Sequence, residues 1–455
     1  MIKEMSQEFS APPQQQRKNH REAGLFSATC LIVGNLIGTG AFMLPAAMAP
    51  LGIIGLMGWG VSTAGALCLA LIFAILARHI PAAGGIYAYS RTAFGDYVGF
   101  QVAWNYWIAT WTGNAAFLVS IPAYLSILWP PLKTDPTLSL MVSLGILWGI
   151  VGLHCLGVKQ ASFIQNVSTV LKLIPLIMIP LVGIFFIQAE NFHWEEPLRN
   201  FSFSKGLGEA TILTIWTFIG IESATIPAQA IKNPEKTIPR ATLLGTLISA
   251  SVYILGAITI LGVVGPDLLV KSEAPYALAA GKIFTSFPTH WIEFFVALGA
   301  VISGVGCLNG WILLQAQMPL AVAQDGLFPR LFARGIYKGT PILGLVFSSV
   351  LVTILLFMSQ SNSLIDQYIL IVKLSTFCML VCYLYPTVAV LLVFKHMARR
   401  DYLKRLMLLI LGCTYLVWAM IGAGQETVFL GALLFFGSTP IYYWVKKARK
   451  EVKFS

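Results

Sequence analysis

Apolar residues run in long blocks separated by short polar turns, near 25–49, 53–77, 98–129, 138–157, 163–188, 209–231, 241–265, 290–322, 341–360, 365–394, 403–423 and 426–446. Each block approaches or exceeds the roughly 20 residues that a helix needs to cross a bilayer core. The pattern predicts an all-α polytopic membrane protein with 12 transmembrane helices. Residues 1–23 are polar and Gln-rich and read as a disordered cytoplasmic tail without a cleavable signal; residues 447–455 read as a second, basic tail.

Two blocks break the pattern from within. The first contains Gly34-Asn35-Leu36-Ile37-Gly38-Thr39-Gly40. Glycine costs about 1 kcal/mol relative to alanine inside a helix, and freed backbone groups in hydrocarbon cost several kcal/mol unless protein or a lined cavity satisfies them. This stretch is either a close-packing face of small residues or an interruption that offers backbone groups to a ligand. The sixth block contains Trp216-Thr217-Phe218-Ile219-Gly220-Ile221-Glu222-Ser223, with Pro227 soon after. Glu222 stands within the span, and intramembrane ionisable residues are expensive and functional by default. The two breaks are five spans apart. An odd offset inverts the second group of five relative to the first, which predicts a 5+5 inverted repeat with broken helices 1 and 6, and a binding site where the breaks meet. The first repeat covers 24–188, the second 209–394, and two further helices occupy 403–446.

Charge supports this topology. The chain of 455 residues is 57% hydrophobic and only 11% charged, with a net charge of +11. With the N-terminus inside, 23 of the 30 Lys and Arg fall on inner segments and 5 on outer ones, while Lys172 and Lys373 lie within spans. That asymmetry places both termini in the cytoplasm. It makes the basic excess a matter of orientation and anionic-lipid attraction, not of nucleic acid. The seven cysteines all lie in apolar blocks and read as small buried hydrophobes. No nucleophile–base pair, metal-ligand spacing or cofactor motif is present, so an enzyme is not expected.

Other intramembrane polar residues are candidates for chemistry. Tyr106, Thr110 and Asn114 repeat at i, i+4 and i+8 on one helix face, as either interhelical glue or a ligand wall. Lys172 sits two turns into the fifth block, either as a functional cation or snorkelling to an interface. Lys373 lies about two turns into the tenth block, seven residues after Asp366. Trp311 follows Gly310 in a glycine-rich stretch, where a flat ring could line a cavity or simply fill the core. Pro81-Ala82-Ala83-Gly84-Gly85 is turn chemistry, and the residues after it, through Arg91, suit a short interfacial helix.

In this order and spacing, Gly34-Asn35-x-x-Gly38-Thr39-Gly40, Pro81-x-x-Gly84-Gly85-x-Tyr87, Trp216-x-Phe218-x-Gly220-x-Glu222-Ser223, Asn233-Pro234, Gly310-Trp311 and Asp325-Gly326-Leu327-Phe328-Pro329 resemble the amino acid–polyamine–organocation transporters. Within them the chain is most similar to the arginine/agmatine and basic amino acid/polyamine antiporters. The resemblance covers nearly the whole chain after residue 22. It implies alternating access about a midplane site in a bacterial inner membrane protein, with an amino acid or its decarboxylated amine as substrate. It also allows a homodimer. Gly38, Thr39 and Gly40 would hold the substrate carboxylate, with Asn35, Ala109 and Thr110 nearby, and carbonyls around Trp216 and Ile219 would take the ammonium. Trp216 would be an aromatic gate and Tyr106 a gate on the far side. Trp311 would stack on a cationic side chain, and Asn114 would accept from it. Glu222 would sense protons or conformational state.

Two positions depart from the arginine exchanger. Where its side-chain pocket has a small hydroxyl on the tenth span, the alignment places Lys373, which would pair with Asp366 or Glu222 or favour a neutral or acidic substrate. Lys172 occupies a position where some proton-coupled relatives carry a lysine in place of sodium. These departures keep a proton-coupled permease for neutral amino acids open as an alternative. A membrane amino-acid sensor or a channel is the alternative of another class.

Overall fold

The computed structural model describes residues 23–80, 82, 84–156, 158–192, 202–226, 228, 231–272, 274–337, 340–358, 364–394, 399–422 and 424–453, with side chains at 158–163, 289, 364–370, 393–394, 399–401, 404, 426 and 449–453 left outside that description. The expected N-terminal tail over 1–22, Pro81, Pro227 and the Asp366 side chain therefore lie outside the described residues.

The helices are α1 (Leu25–Leu36), α2 (Gly40–Met48), α3 (Gly52–His79), α4 (Ile86–Phe94), α5 (Asp96–Leu125), α6 (Pro136–Cys155), α7 (Val158–Gly183), α8 (Phe203–Ile215), α9 (Pro234–Val264), α10 (Pro275–Ile283), α11 (Thr289–Gln324), α12 (Ile342–Met358), α13 (Leu364–Phe394), α14 (Arg399–Gly422), α15 (Gln425–Gly437) and α16 (Thr439–Lys453). A two-residue antiparallel hairpin, Ile336–Tyr337 with Thr340–Pro341, is the sheet present among the described residues. Among the described residues, eight helical stretches are long and apolar enough to cross a membrane, and one of these runs from Leu25 to His79 through the first break. The chain is an integral multi-pass membrane protein. The basic C-terminal stretch is helical as far as Lys453, so it continues α16 where a tail was expected.

The spans are not equally buried. Two-thirds of the most apolar window of α9 and of α13 is buried, against 28% for α14 and 17% for the window over α15 and α16. The last helices therefore stand outside the core, with a broad apolar face left for lipid.

Both interruptions read from the sequence are present. α1 stops at Leu36, Ile37 turns extended (ψ 94°), and α2 begins at Gly40. A Cβ on Gly38 would stand 2.5 Å from Phe117 Cε1 and 2.9 Å from Cys307 Sγ, so only glycine lets the crossing chain lie this close to α5 and α11. In the second interruption α8 ends at Ile215, one 3₁₀ turn covers Trp216–Phe218, and Ile219 is extended (ψ 124°). Gly220 then takes φ +118°, a conformation that disfavours any side chain. A second 3₁₀ turn covers Ser223–Thr225.

Candidate functional site

A helix end leaves four backbone carbonyls without partners inside the helix. At the end of α1 each of the last four finds a side chain. Lys172 Nζ donates to Gly34 O at 2.6 Å and also to Ile37 O. Trp311 Nε1 donates to Asn35 O at 3.0 Å, with Cys307 Sγ at 3.3 Å. Tyr253 Oη lies 2.6 Å from Leu36 O and 3.1 Å from Thr217 O, so its one proton is shared between the two breaks. The cation of Lys172 thus sits against the negative end of the α1 dipole. Lys172 is fully buried on α7 and does not snorkel.

The start of α2 is the complement. Among the described residues, the amides of Thr39, Gly40 and Ala41 have no backbone partner, whereas Phe42 N and Met43 N already bond to Thr39 O. These unengaged N–H groups carry the positive end of the α2 dipole toward the cavity that Gly38 and Gly40 line.

Asn35 joins the two breaks. Its Nδ2 donates to Ser223 Oγ at 3.0 Å, and its Oδ1 accepts from Gln165 Nε2 at 3.3 Å. Glu222 is fully buried, with donors on both oxygens: Tyr106 Oη at 3.0 Å on Oε1, and Gly220 N at 3.1 Å with Tyr383 Oη on Oε2. A buried carboxylate is tolerable only with such hydrogen bonding. Tyr106 and Glu222 are therefore one hydrogen-bonded pair.

A narrow cavity lies between the breaks. The candidates Asn35, Gly38, Gly40, Ala109, Thr110, Trp216, Ile219 and Trp311 line it. Phe117, Ser375 and Met379, which the sequence did not single out, line it as well, with Leu36, Gly113 and Thr217. Among the described residues, no charged side chain lines it. Trp216 packs on Phe117 with ring centroids 5.7 Å apart, and Trp311 lies 6.5 Å from the Tyr106 ring.

Four candidates lie off the cavity wall. Thr39 Oγ1 is in a hydrogen bond with Ser120 Oγ, 2.5 Å away. Tyr106 is committed to Glu222. Asn114, fully buried, donates Nδ2 to Gln315 Oε1 at 2.6 Å. Lys373 pairs with Glu209 of α8 at 2.9 Å and does not reach Glu222. The small hydroxyl that α13 presents to the cavity is Ser375, two residues on, and two residues turn a helix by about 200°. Ser375, Met379 and Tyr383 repeat every four residues, a stripe that could have placed this face from the sequence alone.

The turn before α4 docks on the second break. Gly84 N donates to Ile226 O at 3.2 Å. Arg91 bridges Asp96 Oδ1 at 2.8 Å and Asp325 Oδ2 at 2.6 Å, and Tyr87 Oη donates to the same Asp325 oxygen at 2.8 Å. Burial first, and the Asp325 carboxylate next, push the Tyr87 hydroxyl well above its ordinary value, so it remains a donor.

The amino acid permease family profile matches residues 24–445. The chain is 29% identical over 410 residues to a cadaverine/lysine antiporter of Escherichia coli (strain K12), across 89% of this chain and 90% of that protein. It is 30% identical over 454 residues to an arginine/ornithine antiporter of Pseudomonas aeruginosa, across 96% and 92% of the two chains. It is 28% identical over 430 residues to a putrescine transporter of Haemophilus influenzae, across 93% and 96%. A profile match over nearly the whole chain shows the family: the chain belongs to the amino acid permease family, whose members are transporters and not enzymes.

Proposed function

We propose that this protein is a secondary active antiporter that exchanges a basic amino acid for its decarboxylated amine, or for another basic amino acid, by alternating access. The observation that carries the reading is the pairing of an uncharged, aromatic-lined cavity with the unengaged amides of Thr39, Gly40 and Ala41. A carboxylate suits those amides. The unwound backbone at Ile219 supplies carbonyl oxygen to an ammonium, and the faces of Trp311 and Trp216 favour a cationic side chain. The substrates in the relatives' names, lysine, arginine, ornithine, cadaverine and putrescine, share that distal cation.

The accompanying architecture is twelve spans. Splitting the Leu25–His79 stretch, and adding α5, α8 with its continuation, and α12, brings the eight long apolar stretches to that number. Residues 24–188 and 209–394 form the inverted repeats, and 403–446 the added helices. Both termini face the cytoplasm of a bacterial inner membrane, as the Lys and Arg distribution favours. Membrane lipid covers the outer helices, and a homodimer is compatible with this arrangement. In this reading Trp216 and Phe117 close the outer path, and Tyr106, Glu222 and Tyr383 the inner one.

One observation favours a second reading. Lys172 holds two carbonyls of α1 where a bound cation would otherwise sit. Loss of its proton would release them, as a proton-coupled permease for neutral amino acids requires.

Thermal stabilisation of the purified protein by the twenty amino acids and their decarboxylated amines separates the two, because a ligand of the folded state raises its stability. The antiporter reading expects lysine, arginine, ornithine or their amines to raise the melting temperature. Stabilisation by neutral amino acids alone would exclude it.

A further inference from the structure

Behind the cavity wall formed by Thr110 and Trp311, one helical turn further along each helix, lie Asn114 of α5 and Gln315 of α11. Both are fully buried. They belong to a chain of hydrogen bonds with a fixed direction. Ser349 of α12 donates its one proton back to Leu345 O at 2.9 Å. Its oxygen can therefore only accept from Gln315 Nε2, 3.4 Å away. That turns Gln315 Oε1 toward α5, where it accepts from Asn114 Nδ2 at 2.6 Å. Asn114 Oδ1 is left over: it is buried and has no hydrogen-bond partner in the protein. An unsatisfied buried acceptor is costly, so its retention calls for an explanation.

We propose that Gln315 is a positioning residue for substrate selection. Anchored through Ser349 to the Leu345 carbonyl, it holds the Asn114 amide so that the group left unpaired behind the Thr110–Trp311 wall is an acceptor and not a donor. An acceptor there takes an ammonium or guanidinium and rejects a side-chain carboxylate; an apolar chain end leaves the acceptor unpaired. The inference rests on the proposed transport of basic amino acids and goes beyond it by assigning the discrimination to an amide relay outside the cavity lining. The neighbouring serine follows the same rule: Ser348 donates to Gly344 O at 2.9 Å and accepts from Trp107 Nε1 at 2.8 Å.

The test compares lysine with norleucine, which has the same carbon chain without the terminal amine. Full-length protein in proteoliposomes is assayed for the lysine KM and for inhibition of lysine uptake by norleucine. In the unaltered protein lysine is preferred. Gln315→Leu, similar in volume, frees the Asn114 amide and is expected to reduce that preference about tenfold through the lysine KM, with the maximal rate within about twofold. Ser349→Ala leaves Gln315 in place but unanchored, and is expected to shift the preference in the same direction by a smaller factor; it serves if the Gln315 variant does not fold. An unchanged preference in both Gln315→Leu and Ser349→Ala would overturn the relay. If the unaltered protein prefers norleucine, the basic-substrate reading itself fails, and the relay with it.

Discussion

Asn35 Nδ2 donates to Ser223 Oγ across 3.0 Å, and that single bond links residues 188 positions apart at the hearts of two broken helices. It holds the end of α1 beside the second break, while Tyr253 shares its hydroxyl proton between Leu36 O and Thr217 O nearby. The two interruptions thus behave as one unit with a cavity on its face.

Asn35→Ala removes the bond to Ser223 and the acceptor for Gln165. Losing buried hydrogen bonds of this kind costs about 1–3 kcal/mol. We expect a folded protein with a lowered melting temperature and exchange reduced at least tenfold. Thermal melting in detergent and uptake by proteoliposomes check both. Wild-type exchange by this variant would show that the breaks need no such link.

Lys172→Met leaves the Gly34 carbonyl buried without its donor and Ile37 O with only Ser303 Oγ, 3.5 Å away. A destabilisation of about 1–3 kcal/mol is expected from the lost donor. Where Lys172 serves only to cap α1, exchange driven by internal substrate keeps its pH profile at a lower rate. A variant that loses all response to a pH gradient while still exchanging would support the proton-coupled reading instead.

Lys373 and Ser375 give opposite expectations. The Lys373–Glu209 pair is partly exposed, with side-chain exposures of 22% and 30%, and exposed pairs contribute about 0–1 kcal/mol. Lys373→Ala should therefore leave the lysine KM within about twofold. Ser375→Lys should abolish binding of basic substrates, since it places a cation on the cavity wall. A strong effect of Lys373→Ala on substrate choice would return that residue to the site.

At Gly113 the Trp216 ring lies close against α5. An added Cβ would stand 2.8 Å from the Trp216 ring and 3.0 Å from Ser375 Oγ. Gly113→Ala is expected to displace Trp216 and slow exchange about tenfold or more, with little effect on melting. Tryptophan fluorescence with and without substrate would register the displaced ring.

What the sequence revealed followed from chemistry that cannot hide in an apolar run. Gly34, Asn35, Gly38 and Gly40, and Gly220 with Glu222, stand out because hydrocarbon and helix geometry both penalise them. The same logic found Lys172 but not its partners, because backbone carbonyls leave no mark in a sequence. Lys373 misled for a reason of register: it and Ser375 lie within one turn of α13 but face nearly opposite ways, and the partner that explains Lys373 lies 164 residues earlier. Phe117 and Met379 were invisible as single apolar residues in apolar helices. The stripe Tyr106, Thr110 and Asn114 was correct as a face, yet the three residues serve different neighbours: Glu222, the cavity and Gln315.

The central claim is obligatory exchange of a basic substrate through the cavity between the two breaks. Uptake of labelled lysine into proteoliposomes, loaded with unlabelled lysine or ornithine or left empty, tests it most directly. Rapid accumulation in loaded vesicles and almost none in empty ones, with or without a pH gradient, is the predicted result. Accumulation in empty vesicles driven by a pH gradient alone would contradict it.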